Sequence, residues 1–441
     1  MRLKIHNINK VQEADIKLEG LTVIAGANGS GKSTVGKLLF SIVKSIANAE
    51  NMSSQSRERR LHKRVAALYN RASGSFGRFE DPKIEQLFPL PSTKMVEKLV
   101  ALAEVDDDAE DYLNQLMTLI DSKDLTPRIK SLFAQDIDNI KIALGDSPAA
   151  DIASEFRVFI ESEFMGKICS LGSTDSSAVL EMDYPDDNLT ISFNADDVSS
   201  VRINYKENLS DATYVESPLY LHILDTLLGA STYRELQKNK RNILRGMVPI
   251  HIKDLAEKIY ALQMVSPNNE FSKQLQLLSI MGGQFIFDSD SRTLKFKHSD
   301  ISLELSPINI ASGIKSFGLV QILTDTQVIS NNKILIWDEP ENHLHPRWQI
   351  AFAEILVKLS KTGIPVLVST HSPYFVQGIR YFSAKYDLEK YTNYYLAEEQ
   401  PNHLSILNEV TTDLNKVFSK LAEPLGDIMN VDQIRRERDK K

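Results

Sequence analysis

Apolar positions along this chain fall into two patterns, and the switches between them mark its elements. Leu21 to Ala25 (LTVIA), Ile334 to Trp337 (ILIW) and the start of Val366 to Tyr374 (VLVSTHSPY) are short unbroken apolar runs, as expected of strands covered on both faces. Met1 to Ile5 and Ala14 to Leu18 predict two more strands joined by a short hairpin. Val35 to Val43 (VGKLLFSIV) and Gly318 to Ile329 space their apolar residues as helices do. The stretch Ile46 to Lys167 is helical in period at Met95 to Ala103, Tyr112 to Leu119 and Ile129 to Ile142. It carries no sustained heptads, so it predicts a compact helical insertion and not a long coiled coil. Ala178 to Tyr205 switches to alternation (LTISF, VRINY), the pattern of a small antiparallel sheet. Ser231 to Gln263 is helical again, and Gly282 to Leu305 reads as a hairpin. Tyr391 to Ala397 and His403 to Leu407 read as edge strands, Leu414 to Leu421 as a helix, and the charged Arg435 to Lys441 as a frayed end. No internal repeat occurs, and low complexity is confined to Asp106 to Asp111.

Chemistry enters between the first buried strand and the helix after it. Gly26 to Thr34 reads GANGSGKST, a phosphate-binding loop. A triphosphate needs many short hydrogen bonds, and backbone N–H groups supply them best where no Cβ blocks the approach, as at Gly26, Gly29 and Gly31. Lys32 offers an ammonium to the outer phosphates, Ser33 a hydroxyl to magnesium, and the helix start a positive dipole end. Asn28 and Thr34 complete the candidate nucleotide-binding set. At the end of the second buried run stand Asp338, a candidate metal ligand through water, and Glu339, a candidate base that orients and deprotonates the attacking water. The plain alternative for Asp338-Glu339-Pro340 is a solvated strand end followed by a turn.

Two further segments narrow the class. Ser312-Gly313-Ile314-Lys315 precedes the Asp338 strand, and Asp338 to Pro346 (DEPENHLHP) and Thr370 to Pro373 (THSP) follow. With these four motifs in order, the chain resembles the ABC-type P-loop ATPases of the SMC, RecF and OLD-like branch, AAA family ATPases of the kind found in prokaryotic anti-phage systems. The fold this implies is α/β: an ATPase head with an antiparallel β subdomain and a mainly helical insertion. Its expected divisions are 1–45, head with the phosphate loop; 46–170, helical insertion; 171–218, antiparallel β region; 219–281, helical region; and 282–441, remainder of the head. The resemblance also implies that ATP and Mg2+ are bound and that two heads close around two nucleotides. Ser312, Gly313 and Lys315 would then reach across in trans, and His371 would contact the γ-phosphate and the attacking water. Without that context, Ser312 is an ordinary helix N-cap and His371 a structural histidine. Glu341 is a candidate for orienting the metal's waters or the dimer contact. The glutamine-bearing loop of such heads has no clear counterpart; Glu216, in Ala212 to Pro218, is the best positional candidate and Gln284 a weaker one. His343 and His345 suggest zinc, but no cysteines or further histidines gather nearby, so a zinc site is not expected.

Composition sets the outer bounds. The 441 residues, with 42% hydrophobic and 25% charged content, suit an interrupted head with an inserted module. A single cysteine, Cys169, excludes an internal disulfide and fits a reducing cytoplasm. The opening MRLKIHNINK is no signal peptide, and no apolar run is long enough to span a bilayer. A net charge of −8 argues against uniform DNA coating. Two basic stretches, RERRLHKR with Tyr69, Arg71, Phe76 and Arg78 after it, and Lys238 to Arg245, are either nucleic-acid contacts or solvated helix faces. OLD-family enzymes carry a TOPRIM nuclease after the head, but the 70 residues following His371 show no acidic cluster of that type. The expected function is therefore an ATPase sensor or scaffold of an anti-phage or DNA-maintenance system, dimeric or of higher even order through its heads, with a separate effector such as a nuclease. The alternatives are the nucleotide-binding subunit of a membrane transporter, or an assembly scaffold with little turnover.

Overall fold

The chain opens with β1 (Arg2–Ile8), β2 (Val11–Lys17) and β3 (Leu21–Gly26), then enters α1 (Lys32–Phe76), a helix far longer than the spacing of Val35 to Val43 predicts. Four helices follow: α2 (Ser92–Ala103), α3 (Asp108–Asp121), α4 (Pro127–Gly145) and α5 (Pro148–Phe164). Next come β4 (Ser177–Asp183), β5 (Asn188–Asn194), β6 (Asp197–Asn204) and β7 (Asp211–Val215). Helix α6 (Ile250–Tyr260), strands β8 (Gly283–Asp288), β9 (Thr293–His298) and β10 (Glu304–Leu305), and helix α7 (Ser312–Asp325) lead to β11 (Lys333–Asp338). The chain continues with α8 (Pro346–Lys361), β12 (Val366–Thr370), α9 (Pro373–Lys385), β13 (Thr392–Glu399) and β14 (Ser405–Glu409). The computed structural model describes residues 1–76, 84, 87–103, 108–123, 125–145, 148–170, 177–184, 188–194, 196–204, 209–233, 247–264, 273–288 and 290–423. Arg78, Lys238 to Arg245 and Arg435 to Lys441 lie outside the described residues.

Two units divide the chain, Met1–Ala47 with Glu155–Lys441, and Asn48–Ser154. The helical unit is thus narrower than the expected 46–170, because most of α5 belongs to the larger unit. Within the helical unit, Tyr69 is buried and Arg71 is partly exposed and paired. The Tyr69 hydroxyl donates to Pro89 O at 2.6 Å, and Arg71 Nε lies 2.5 Å from Asp136 Oδ2, its guanidinium 6.0 Å from the centre of the Phe133 ring.

One sheet organises the larger unit, in the order β6-β5-β4-β1-β2-β14-β13-β3-β12-β11-β7. The segment β13-β3-β12-β11-β7 is parallel, and its central strands β3 and β12 are buried throughout, as unbroken apolar runs require. Strands β4, β5 and β6 are antiparallel and continue the same sheet from β1. Three expectations need correction. β7, placed by sequence in the antiparallel region, crosses to the far edge of the parallel block beside β11. β13 and β14 are interior strands, not edges. Gly282 to Leu305 forms a separate three-stranded sheet, not a lone hairpin.

Aromatic packing fixes the helices against the parallel strands. The Trp337 ring of β11 lies 4.9 Å from Phe352 of α8, and Phe352 lies 5.2 Å from Phe317 of α7, all edge-on. Such pairs contribute about 0.5–1.5 kcal/mol each beyond burial. On the other flank, Lys44 of α1 and Lys258 of α6 each bridge Asp211 and Asp254 at 2.6–2.9 Å, tying both helices to the start of β7.

Candidate functional site

Three neighbouring strands, β3, β12 and β11, end together, and the turns that leave them carry most of the expected site residues. Ala25 is in register with Thr370, and Ser369 with Asp338. Beyond β3 the chain turns through Ala27, Asn28 and Gly29, all exposed, before α1 begins at Lys32. Gly29 and Gly31 hold φ of 75° and 85°, which side-chain-bearing residues adopt only at a cost. Ser33 and Thr34 are partly exposed on the first turn.

Lys32 is only 4% exposed, and its Nζ donates to the carbonyls of Gly26 at 3.0 Å and Ala27 at 2.7 Å. Burial lowers its pKa, against the pull of Glu339, Asp338 and Glu341. The phosphate loop and the carboxylates of β11 therefore share one electrostatic environment although about 300 residues separate them.

Asp338 ends β11 with both carboxylate oxygens engaged. Oδ1 accepts from Ser369 Oγ, and Oδ2 accepts from the Tyr214 hydroxyl at 3.0 Å. Burial and Asp338 together push the Tyr214 pKa far up, so Tyr214 stays a donor. Glu339 follows with φ of 45°, its N–H bonded to Ser369 O at 3.0 Å and its Oε2 accepting from Asn342 Nδ2 at 3.0 Å. Left-handed backbone at a bulky residue costs about 1–3 kcal/mol and persists where the surroundings impose it.

Glu341 is the most buried of these carboxylates. Its Oε1 accepts from Thr370 Oγ1 and from the His371 N–H, both at 2.7 Å, while Oε2 is buried with no hydrogen-bond partner among the described residues. Burial raises its pKa despite those donors. His371 Nδ1 lies 3.2 Å from Glu341 Oε1 and 3.4 Å from Glu339 Oε1, and its ring remains 38% exposed.

Two dipeptides in the motifs are helix starts. His345 Nδ1 accepts from Arg347 N at 3.3 Å and Ser372 Oγ accepts from Phe375 N at 3.3 Å, each just before a proline in the first turn. Ser372 also donates to Gln349 Oε1 at 2.6 Å, which joins the two caps.

The Ser312 segment is arranged differently from expectation. Ala311, not Ser312, is the N-cap of α7, and its own side chain makes no cap hydrogen bond. Ser312 is partly exposed, whereas a Cβ on Gly313 would stand 2.6 Å from the Trp348 ring. Lys315 is 1% exposed and its ammonium meets His222 Nε2 of the same chain, with burial lowering its pKa. Gly313 and Lys315 therefore face the protomer's own interior in this conformation.

Glu216 leaves β7 one strand over from Asp338, since Val215 pairs with Trp337. Its Oε2 accepts from Tyr220 at 2.7 Å and lies 3.0 Å from His251 Nε2. These bonds, His251 first, hold its pKa down at about 2. Gln284 lies on β8, outside the parallel sheet, and takes no part. Sequence reasoning missed Tyr214, Ser369, Asn342 and His251. Ser369 stood inside a strand already recognised and Tyr214 inside the Ala212 to Pro218 segment, so the place of Ser369 beside a strand-end carboxylate was the available signal.

Magnesium with ATP fits this donor set. Gly29 has open space where a Cβ would stand, the Lys32 ammonium is held by two backbone carbonyls, and Ser33 with Asp338 offers the oxygen donors that magnesium prefers. The packing behind it is tight: a Cβ on Gly36 would stand 2.7 Å from the Tyr214 ring. Gly36→Ala is accordingly expected to destabilise the chain by about 1–3 kcal/mol through overpacking. Urea denaturation measures this, and an unchanged midpoint would show that Tyr214 yields freely.

Comparison with known proteins gives the following. The family model for the AAA ATPase domain matches residues 1–376. An uncharacterized protein of Methanocaldococcus jannaschii is 25% identical over 141 residues, a stretch covering 31% of this chain and only 16% of that relative's length. Among solved structures, the SMC head domain from Thermotoga maritima is similar at 10% identity and a TM-score of 0.38, covering 93% of this chain and 98% of its own. An Smc head domain derived from Pyrococcus furiosus, with an extended coiled coil and bound to the C-terminal domain of ScpA, is similar at 11% identity and a TM-score of 0.38, with 96% and 98% covered. No described helix is long and apolar enough to cross a membrane.

Proposed function

Since the chain belongs to the AAA ATPase domain family, we propose that it binds Mg–ATP at the joint end of β3, β12 and β11 and hydrolyses it as a dimer of heads. One observation carries the reading: the loop lysine, the strand-end carboxylates and the following histidine converge from three separate segments on adjacent parallel strands. Bound magnesium would supply charge neutralisation across the outer phosphates. The chain's own residues do the rest. Loop N–H groups and Lys32 would hold the phosphates, Ser33 and Asp338 would hold the metal, and Glu339 would accept the proton of the attacking water. His371, beside Glu339, orients that water toward the γ-phosphate.

Dimerisation is supported by the resemblance of the Ser312 segment to signatures that act across a head interface, and by the partly exposed position of Ser312 on the first turn of α7. Gly313 and Lys315 would then support the segment from within the protomer. A role as ATPase sensor or scaffold in an anti-phage or DNA-maintenance system, with a nuclease or other effector on a separate chain, is supported by the resemblance of DEPENHLHP and THSP to those systems' motifs. The test is phosphate release by the purified chain with ATP and magnesium, set against EDTA, together with its mass by light scattering. Magnesium-dependent turnover and an ATP-induced doubling of mass are expected. Nucleotide binding without turnover would replace the hydrolase with an ATP-assembled scaffold, and an unchanged mass would remove the dimer.

A further inference from the structure

A second buried charge cluster lies behind the site, and its middle member is a histidine. His251, on the first turn of α6, is 1% exposed. Its Nδ1 stands 2.5 Å from Glu163 Oε2 and its Nε2 stands 3.0 Å from Glu216 Oε2. A neutral imidazole donates from one nitrogen only, so two carboxylates at these distances call for the doubly protonated ring. Burial opposes that charge, but the bonds to Glu163 and Glu216 outweigh it and raise the His251 pKa. Removing the His251 and Glu163 charges from water is costly, and well-packed apolar residues would stabilise such a position at least as well. Stability alone is a poor reason for the cluster.

Its connections suggest another. Helix α6 has Pro249 as N-cap and no cap from that residue's side chain. The end of α5 supplies the missing acceptors: Ser162 Oγ takes the Ile250 N–H at 2.8 Å, and Glu163 Oε1 takes the His251 N–H at 3.2 Å. At the other end, Glu216 follows β7 immediately and emerges beside Asp338, whose carboxylate is held by Tyr214 two residues earlier. Tyr220 and His251 both occupy Glu216 Oε2. Glu216 Oε1 has no hydrogen bond among the described residues, in a side chain 39% exposed.

We propose that His251 is a positioning residue for hydrolysis: it pins Glu216 through Oε2, leaves Oε1 to accept from a metal-bound water beside Asp338, and links that carboxylate through Glu163 to the end of α5. The proposal rests on the Mg–ATP reading above. Helix α5 is the segment by which the chain returns from the unit Asn48–Ser154, so the link gives that return segment a contact path to the metal carboxylate.

A double-mutant cycle on the full chain tests it. Glu216→Ala and His251→Phe should each lower kcat by about ten- to a hundredfold, the usual effect of removing a partner that orients a metal's ligands. The double variant should be no slower than the slower single one. In a binding readout, the gain in affinity that magnesium gives a fluorescent ATP analogue should shrink equally in all three. Hydrogen exchange in residues 155–164 should respond to Mg–ATP in the wild type and not in His251→Phe. If His251→Phe does not fold, Glu163→Gln takes its place, with a smaller loss of kcat that vanishes in the Glu216→Ala background. Losses that multiply in the double variant, or an unimpaired His251→Phe, would overturn the proposal while leaving the ATPase reading intact. A wild-type chain without magnesium-dependent hydrolysis would remove both.

Discussion

Glu339→Gln is expected to bind ATP at least as tightly as the wild type while hydrolysing it about a hundredfold or more slowly, the usual weight of a general base. The substitution keeps shape and backbone demands: glutamine accepts the φ of 45° no worse than glutamate does, and its amide oxygen can still take the bond from Asn342. What changes is the ability to accept a proton from water. A negative charge near the incoming phosphates also disappears, and with it a repulsion that Lys32 now helps to offset. Binding should therefore improve slightly as turnover collapses, and the ATP-bound dimer should persist long enough to elute as one species in size-exclusion chromatography. Wild-type turnover would take the base role from Glu339. Glu341 would be the next candidate by burial, but its Oε1 is already committed to Thr370 and the His371 N–H.

The parts of this site that sequence alone made legible are those whose chemistry is local. A phosphate loop needs glycines, a lysine and a helix start within nine consecutive residues, Gly26 to Thr34, and the strand-end acids need only an apolar run before them. What stayed hidden depends on crossings the sequence does not print. β7 is close in sequence to the antiparallel strands yet pairs with β11, because a parallel strand can be reached only by a long connection. Tyr391 to Ala397 looks half-polar, and so reads as an edge. It is interior, and two of its polar groups find partners there: the Tyr395 hydroxyl accepts from Lys17 N at 2.8 Å, and Thr392 Oγ1 donates to Leu388 O at 2.9 Å. Glu163 and His251 are 88 residues apart and resemble surface positions on two helices, and only the fold makes them a buried pair. The inward turn of Lys315 was equally unreadable, since its partner His222 belongs to a turn after β7.

Lys32→Ala separates nucleotide binding from folding, with a large effect expected on the first and a small one on the second. Charge-assisted hydrogen bonds contribute about 1.5–3 kcal/mol each, so losing the ammonium should weaken ATP binding by about one to two orders of magnitude. The nucleotide-free chain should lose little. Burial depresses the Lys32 pKa in the folded chain, so the protonated form binds its proton less tightly there than when unfolded. A depressed lysine of this kind opposes folding at neutral pH, and that penalty fades as pH rises through the folded pKa toward the unfolded one. Removing the side chain removes the penalty, against which stands the loss of its bonds to the Gly26 and Ala27 carbonyls and of the cation nearest Asp338, Glu339 and Glu341. The expected outcome is a melting temperature close to wild type without nucleotide, and little of the rise that Mg–ATP gives the wild type. Equal ATP-induced rises in both proteins would mean that the loop does not hold the phosphates. A collapse of the nucleotide-free variant would mean that the two carbonyl bonds, and not nucleotide binding, are the reason for a lysine at this position.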